Sequence, residues 1–218
     1  DADEFLFLPP GLSSLAQVID RLKAVDADCI AASLVEFFPA SLPELDEATA
    51  PESFEELLKR YSFFEKHRLL TLQAGQQPNK AGNSKSSELF ETHLPDDGID
   101  RHSPVLKTPI VRHNARTRRV GSHRTTQPPV PDMLLTMAHF VFTGRFRDKV
   151  ARAIEWKSHR GGGEKYRQYA DLLKTMEQAG GSFEGPNTAK FADVGQFLQS
   201  GLMLWPKETD EGNVTNFP

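Results

Sequence analysis

The first forty residues alternate between apolar runs and a helical pattern. A short apolar run at residues 5–8 predicts a strand. Apolar residues then recur at helical spacing over residues 13–25, where Ser14 and Gln17 are placed for a capping box. The apolar run 29–38 is stopped by a proline and predicts a buried strand. A strand, a helix and a strand in this order are typical of an α/β crossover.

The middle of the chain predicts two loops on either side of a helix. Prolines and acids mark residues 39–53 as a surface loop, and apolar spacing predicts a helix over residues 52–65. Residues 75–100 are poor in apolar residues and rich in Gly, Asn, Ser and Lys. We therefore expect a mobile loop there, of the kind that closes over substrates in enzymes. A plain insertion without a role explains this composition equally well.

The last part of the chain predicts more strands, followed by helices. Residues 105–111, which include Pro109, predict a strand at a sheet edge. Residues 118–123 predict a second short strand, and the apolar run 133–142 predicts a buried strand that carries His139. A glycine triplet at 161–163 and a glycine pair at 180–181 then separate three predicted helices, at 145–158, 164–178 and 189–200.

Composition places the chain among ordinary globular proteins. It has 218 residues, of which 38% are hydrophobic and 26% charged, enough for one domain with a sizeable core or for most of a larger domain. No apolar run approaches the roughly 20 residues of a membrane-spanning helix. The single cysteine, Cys29, excludes an internal disulfide and fits a reducing compartment.

Positive charge is concentrated in one stretch, although the net charge is −4. Residues 101–131 contain no acid, so they create a local positive field suited to phosphate-bearing partners such as nucleic acid or nucleotide diphosphates. A module for single-stranded nucleic acid would interleave aromatic residues with its cations, and residues 101–124 contain none. Nucleic acid is therefore not an expected partner. The seven basic residues are Arg101, Lys107, Arg112, Arg116, Arg118, Arg119 and Arg124.

The acidic amino end is the best candidate for chemistry. Asp1 and Asp3 alternate at the start of a predicted strand, so both carboxylates can face one hard divalent cation. Such a cation can also bind the diphosphate of a substrate. Acidic ends are common and usually solvated, so the motif alone is weak evidence. Because the chain begins at the motif, we expect it to be part of a longer protein.

Several blocks of sequence, in this order, resemble bacterial family 2-like glycosyltransferases with the GT-A fold. The first is Asp-Ala-Asp-Glu-Phe-Leu, which resembles the DxDEFL signature of that family. The resemblance covers most of residues 1–175. It implies an α/β fold that is a partial GT-A domain, with a mixed sheet, flanking helices and a helical carboxyl-terminal part, and without the amino-terminal nucleotide-binding half. The further blocks are residues 34–39, 61–65, 106–112, 121–123 and 139–142, followed by Phe146, Lys149 and residues 166–169.

The same resemblance implies a division of the chain and a function. Residues 1–143 would form the metal and acceptor part of the domain and residues 144–206 a helical extension. The polar composition of residues 207–218 predicts a disordered tail. The implied activity is metal-dependent transfer of a sugar from a nucleotide sugar donor to a glycan or lipid-linked acceptor in surface polysaccharide synthesis. The implied location is the cytoplasm, with peripheral association at the inner face of the plasma membrane.

Two alternatives to the transferase stay open. One is a non-catalytic remnant that binds glycans or partners, and we expect the chain to be inactive on its own. The other is the basic nucleic-acid-binding module.

The metal implied by the resemblance is Mn²⁺ or Mg²⁺. Asp1 and Asp3 would bind it, and Asp1 would also contact the ribose-phosphate of the donor. A histidine from the later part of the chain would complete the ligand set, either His123 or His139. His139 lies in an apolar run, where a histidine that serves only as a core residue is the more common case.

Cations and a base complete the implied site. Lys107, Arg112 and Arg124 are candidates to contact phosphate or an anionic acceptor. The base that deprotonates the acceptor should be a carboxylate in the cleft, and Glu36 and Glu65 are candidates by their positions. The family usually has Asp in both blocks, and Glu reaches further.

Overall fold

The chain forms a mixed α/β fold built on a curled four-stranded sheet. The computed structural model describes residues 3–47, 53–66, 85–96, 105–121, 124–157 and 162–206. The strands of the main sheet lie in the order β1-β7-β2-β4, and two small two-stranded sheets accompany it, β3-β8 and β5-β6. The strands are β1 Glu4–Phe7, β2 Cys29–Glu36, β3 Phe63–Glu65, β4 Leu106–Val111, β5 Arg119–Gly121, β6 Arg124–Thr125, β7 Leu134–His139 and β8 Thr188–Lys190. The helices are α1 Leu15–Ala24, α2 Leu42–Glu47, α3 Phe54–Arg60, α4 Lys85–His93, α5 Phe146–Glu155, α6 Glu164–Gln178 and α7 Gly195–Ser200.

The first two strands do not form the parallel crossover unit that their order predicted. β7 lies between them, parallel to β2 and antiparallel to β1. β1 and β2 therefore run in opposite directions. The predicted pairing was wrong because β7 belongs to a segment about a hundred residues later, and local periodicity carries no information on such a partner. The strand predicted over residues 105–111 does lie at the sheet edge, as β4.

Each face of the sheet is covered by a different hydrophobic cluster. α1 begins at Ser14, whose side chain accepts a hydrogen bond from the backbone N–H of Gln17, so the predicted capping box is present. This helix buries Val18 and Leu22 against even-numbered residues of β2. Burial of such a side chain stabilises the fold by about 1.5–3 kcal/mol.

The opposite face carries a cluster rich in phenylalanine, packed under α5, α6 and α7. The rings of Phe37 and Phe140 are 5.4 Å apart, and those of Phe64 and Phe197 are 5.3 Å apart. All four side chains are almost completely buried. Together they connect the main sheet to the small β3-β8 sheet, and this fixes the position of the carboxyl-terminal helices over the sheet.

Two predicted helices are shorter than expected. The last residues of the first and the first residues of the second form two short strands that pair with each other. The helix predicted over residues 52–65 ends at Arg60, and Phe63–Glu65 forms β3 instead. β3 pairs with β8, which takes the first residues of the helix predicted over 189–200. Apolar spacing alone does not distinguish a short buried strand from a helix end.

Two predicted loops contain helices. α2 lies within the loop predicted over residues 39–53, because Leu42 and Leu45 are buried in the core. α4 lies within the mobile loop predicted over residues 75–100, and it buries Leu89 and Phe90. The other parts of that loop, outside 85–96, and the predicted tail at 207–218 lie beyond the described residues. Within the described ranges, no helix has the length and apolarity needed to cross a membrane.

Candidate metal centre and adjoining cleft

Three acidic or imidazole side chains lie level with each other at one end of the main sheet. Glu4 on β1 is the register partner of His139 on β7, and His139 is also the register partner of Glu36 on β2. β1 is antiparallel to its neighbour β7, so its first residue lies level with the carboxyl ends of the parallel strands β7 and β2. Ligands of α/β proteins commonly bind at this end of a sheet.

Asp3, Glu4 and His139 form a cluster with the spacing of a metal site. Each contributes one ligand atom, and these atoms lie within 4.8 Å of one another. The backbone carbonyl of Asp3 accepts a hydrogen bond from the N–H of Phe140 at 2.9 Å, which fixes the acidic segment against β7. The cluster is therefore assembled by strand pairing.

Two lysines contact the carboxylates of this cluster. The Nζ of Lys149 on α5 lies 3.5 Å from Oδ2 of Asp3. Lys107 on β4 forms an ion pair with Glu4 in a setting where both side chains are mostly buried. Both ion pairs balance negative charge at the cluster.

The imidazole of His139 has the properties of a metal ligand. Burial lowers its pKa below the usual histidine value, although Glu36, Asp3 and Glu4 oppose this shift. The ring is thus neutral at pH 7, which is the form that binds metals. Its Nε2 is 3.8 Å from Oδ2 of Asp3, too long for a hydrogen bond, and its buried Nδ1 has no hydrogen-bond partner.

The residues present fit a divalent cation. The Nε2 of His139 lies 3.8 Å from Oδ2 of Asp3, so a cation held by both residues would bind this nitrogen and would leave the buried Nδ1 as it is. Two carboxylates supply the oxygen ligands that Mg²⁺ and Mn²⁺ accept, while the single imidazole favours a transition-metal ion such as Mn²⁺ over Mg²⁺. Asp1, the other predicted acid, and His123, the alternative histidine, lie outside the described residues.

A cleft of about 160 Å³ adjoins the cluster and shares His139 with it. Glu36 lies in its wall and is nearly buried, and Lys149 and Lys165 are also part of its lining. An engineered cavity of roughly 150 Å³ holds a benzene-sized molecule, so this cleft is large enough for a single six-membered ring. Its lining consists of Glu36, His139, Val141, Phe146, Lys149, Lys165, Tyr166 and Tyr169.

Hydrogen bonds hold the Glu36 carboxylate in place. The backbone N–H of Ser86, in the first turn of α4, donates to Oε2 at 2.6 Å, and the Ser86 hydroxyl donates to Oε1 at 2.9 Å. The Tyr169 hydroxyl donates in turn to the Ser86 hydroxyl at 3.3 Å. Burial raises the pKa of Tyr169, so this hydroxyl keeps its proton. The two hydrogen bonds from Ser86 thus fix the orientation of the Glu36 carboxylate, and Glu36 is still one of the residues that line the cleft.

The other predicted base is in a different environment. Glu65 on β3 is buried, accepts a hydrogen bond from Thr188, and forms an ion pair with Lys85 at 2.6 Å. Lys85 also contacts Glu88 at 3.1 Å. Glu65 is not among the residues that line the cleft, whereas Glu36 is.

Two of the three predicted phosphate-binding cations lie away from the cluster. Arg112 follows β4 at the far end of the sheet, where it forms ion pairs with Asp26 and Asp28. That end is separated from Glu36 by the length of β2, about 23 Å at 3.3 Å per residue. Arg124 is exposed on the small β5-β6 hairpin. Only Lys107 reaches the metal cluster.

Several residues of the site were not assigned a role from sequence. Lys149 falls in one of the blocks that carry the family resemblance, but Lys165 and Ser86 have no signal of their own. Ser86 lies in a polar stretch whose composition predicted a loop. The sequence signal for a helix there was limited to the apolar residues Leu89 and Phe90, which the structure buries.

The comparisons with known proteins do not identify the chain. No protein-family model matches it, and neither the curated proteins nor the solved structures give a match.

Proposed function

We propose that this protein is a metal-dependent glycosyltransferase with a GT-A type of fold, which uses a nucleotide sugar as donor. The observation that carries the proposal is the cluster of Asp3, Glu4 and His139 at the carboxyl end of the parallel strands, next to lysines and a cleft. A nucleotide diphosphate leaving group is a strong anion. A site that releases it therefore needs concentrated positive charge.

The cluster of Asp3, Glu4 and His139 is where a cation could bring this positive charge. A divalent cation held by Asp3, Glu4 and His139 would neutralise the negative charge that develops on the leaving diphosphate. Lys149 approaches the same carboxylate as the cation, so its ammonium group can contact a phosphate oxygen beside the cluster. Lys107 balances the charge of Glu4 and holds its side chain across the end of the sheet.

Glu36 supports the acceptor half of the reaction. Transfer to a hydroxyl requires a base that takes the proton of that hydroxyl, and a positioned carboxylate is a common choice. Glu36 lies in the cleft beside His139 and is oriented by two hydrogen bonds from Ser86. We therefore assign Glu36 as the base and His139 as a metal ligand. Glu65 has no part in this proposal, because its carboxylate is paired with Lys85 and does not line the cleft.

The first test is a titration of the protein with Mn²⁺, followed by electron paramagnetic resonance. We expect Mn²⁺ to bind, and Asp3→Ala and His139→Ala to weaken binding by about tenfold or more, because each removes one of three protein ligands. Asp20→Ala is the matched control, since Asp20 is an exposed acid on α1 that pairs with Lys23. Equal Mn²⁺ affinity of the Asp3→Ala and Asp20→Ala variants would remove the metal centre from the proposal.

A second test addresses the donor. Calorimetric titration of the longer protein that is expected to contain this chain, with UDP and with GDP and with and without Mn²⁺, should show binding that depends on both the metal and Asp3. Binding that is unaffected by removal of Mn²⁺ would separate the nucleotide from the metal cluster. Failure of every nucleotide in the presence of bound Mn²⁺ would favour a binding protein over a transferase.

A further inference from the structure

Four arginines of the basic stretch lie on the β5-β6 hairpin or in the turn just before it. The hairpin is at the end of the main sheet opposite the metal cluster, because Oγ1 of Thr125 on β6 is 3.8 Å from Sγ of Cys29, the first residue of β2. Residues 101–131 contain no acid, so this stretch itself supplies no counter-charge. The four arginines, all of them exposed, are Arg116, Arg118, Arg119 and Arg124.

The two faces of the hairpin are different. Arg119 is the register partner of Thr125, and both face the protein, because Thr125 is buried and the guanidinium of Arg119 donates to a backbone carbonyl of β4 at 2.7 Å. Successive strand residues point in opposite directions, so the neighbours of this pair, Arg118 and Arg124, point away from the protein. Val120, at a register shift of β5, is 62% exposed. The outer face of the hairpin therefore consists of Arg118, Val120 and Arg124.

Hydrogen bonds hold the backbone of these arginines in place. The Thr126 hydroxyl accepts a hydrogen bond from the N–H of Arg118 at 3.0 Å and donates to the carbonyl of Arg116 at 2.7 Å. Within the described ranges, neither Arg118 nor Arg124 forms an ion pair, whereas Arg112 of the same stretch pairs with two aspartates. The outer face thus presents positive charge to a partner from a backbone of fixed shape.

We propose that the outer face of the β5-β6 hairpin binds an anionic membrane surface. The guanidinium groups of Arg118 and Arg124 would donate charge-assisted hydrogen bonds to lipid phosphates, whose geometry they match. Val120 would enter the apolar layer below the phosphates, because an exposed aliphatic side chain gains free energy when it leaves water. Charge and apolar burial together give reversible binding at a membrane surface. The inference uses neither the metal centre nor the proposed function.

The exposed valine favours a membrane over nucleic acid as the anionic partner. Single-stranded nucleic acid stacks its bases on aromatic rings, and residues 101–124 contain none. Duplex DNA presents hydrated phosphates to surface arginines, and it has no apolar layer beside them in which Val120 could be buried. An anionic bilayer offers both kinds of contact at the depth where this face needs them.

The test measures binding of the protein to lipid vesicles by cosedimentation. One set of vesicles is phosphatidylcholine alone, and the other is an equimolar mixture of phosphatidylcholine and phosphatidylglycerol. We expect binding to the anionic vesicles to be at least about tenfold tighter. Raising the salt concentration to about 1 M, where the Debye length is about 3 Å, should remove most of this difference.

Paired arginine variants connect the binding to the hairpin. The double variant Arg118→Gln with Arg124→Gln should weaken binding to the anionic vesicles by at least about tenfold, because two charges at the surface are lost. The double variant Arg145→Gln with Arg152→Gln is the matched control, since it removes the same charge from exposed arginines at α5. The control should bind like the parent protein. Circular dichroism checks that both double variants are folded.

A valine variant separates insertion from adsorption by charge alone. Val120→Ser keeps every charge and should weaken binding to the anionic vesicles by roughly three- to tenfold, because the apolar contribution is lost. Val25→Ser, which changes an exposed valine at the end of α1, should leave binding unchanged.

Three results would overturn the proposal. They are equal binding to both kinds of vesicle, an equal loss in the two double arginine variants, and parent-like binding of Val120→Ser. A single-stranded or duplex oligonucleotide that binds more tightly than the anionic vesicles, and is lost in Arg118→Gln with Arg124→Gln, would assign the face to nucleic acid instead. The metal centre lies about 23 Å away along β2, so Mn²⁺ affinity should be the same in this double variant and in the parent.

Discussion

Glu36 on β2 and Ser86 on α4 are joined by two hydrogen bonds, one from the backbone N–H of the serine and one from its hydroxyl. The pair connects the end of the main sheet to the first turn of a helix fifty residues later. A carboxylate at a helix amino end is stabilised by the helix dipole as well as by the hydrogen bonds. The arrangement therefore holds Glu36 in one position while leaving it in the wall of the cleft.

Glu36→Gln should separate the chemical role of this side chain from its structural role. The amide oxygen can still accept the Ser86 N–H bond, and the amide nitrogen can donate to the serine hydroxyl, so we expect the melting temperature to change little. Glutamine cannot take a proton from an acceptor, so the rate of sugar transfer should fall by roughly 10²–10⁴-fold. Single-turnover transfer by the longer protein that is expected to contain this chain, together with thermal unfolding, checks both parts. A variant with normal transfer would show that Glu36 serves only to hold α4.

The chain of hydroxyl groups behind Glu36 should be cooperative. Ser86→Ala removes a hydrogen bond to a charged group and should cost about 1.5–3 kcal/mol, whereas Tyr169→Phe removes a neutral one and should cost about 0.5–1.5 kcal/mol. The Tyr169 hydroxyl bonds to that of Ser86, so the double variant should cost less than the sum of the two. Urea unfolding of the four proteins gives the coupling. Simple additivity would mean that the two hydroxyl groups act independently.

Lys85 should be essential for stability, because it is the partner of two carboxylates. It is 1% exposed and lies 2.6 Å from Glu65 and 3.1 Å from Glu88. Lys85→Met would leave Glu65 buried without a counter-charge, and we expect a loss of about 3–5 kcal/mol in the free energy of unfolding. Lys59→Met, on the exposed side of α3, should change it by less than about 0.5 kcal/mol. A similar small loss for Lys85→Met would mean that the pair is neutral for stability.

Asp28 should make stability depend on pH at the far end of the sheet. Hydrogen bonds from Asn114 and Thr117, together with Arg112, hold its pKa well below the usual range of an aspartate. Because the pKa is lower in the folded than in the unfolded chain, the stabilisation is present above about pH 4 and is lost as the pH falls towards the folded value.

Asp28→Asn should therefore unfold at a lower temperature than the parent protein at pH 7, and the difference should shrink progressively below about pH 4. Asp20→Asn, which alters a mostly exposed carboxylate on α1, serves as the control. Thermal unfolding of the three proteins between pH 7 and pH 3 measures the effect. A difference that stays constant over this interval would assign the contribution of Asp28 to the shape of its side chain and not to its charge.

Local patterns in the sequence determined most of the individual elements. The helical spacing with its cap at Ser14 led to α1, and the uniformly apolar runs led to β2 and β7, which are buried on both faces. The proline in β4 correctly indicated an edge strand. These features depend on neighbours within about ten residues, so periodicity and capping chemistry are sufficient to find them.

Long-range pairing, in contrast, was decided only by the tertiary structure. β7 lies between β1 and β2, and Phe63–Glu65 pairs with Thr188–Lys190, because buried strands need hydrogen-bond partners and the chain supplies them from distant segments. The candidate site depends on the same pairings. Sequence identified Asp3, His139 and Glu36 as separate candidates, and strand register placed Glu4 and Glu36 on either side of His139. Sequence also proposed Arg112 for the site, which the direction of β4 carries to the opposite end of the sheet.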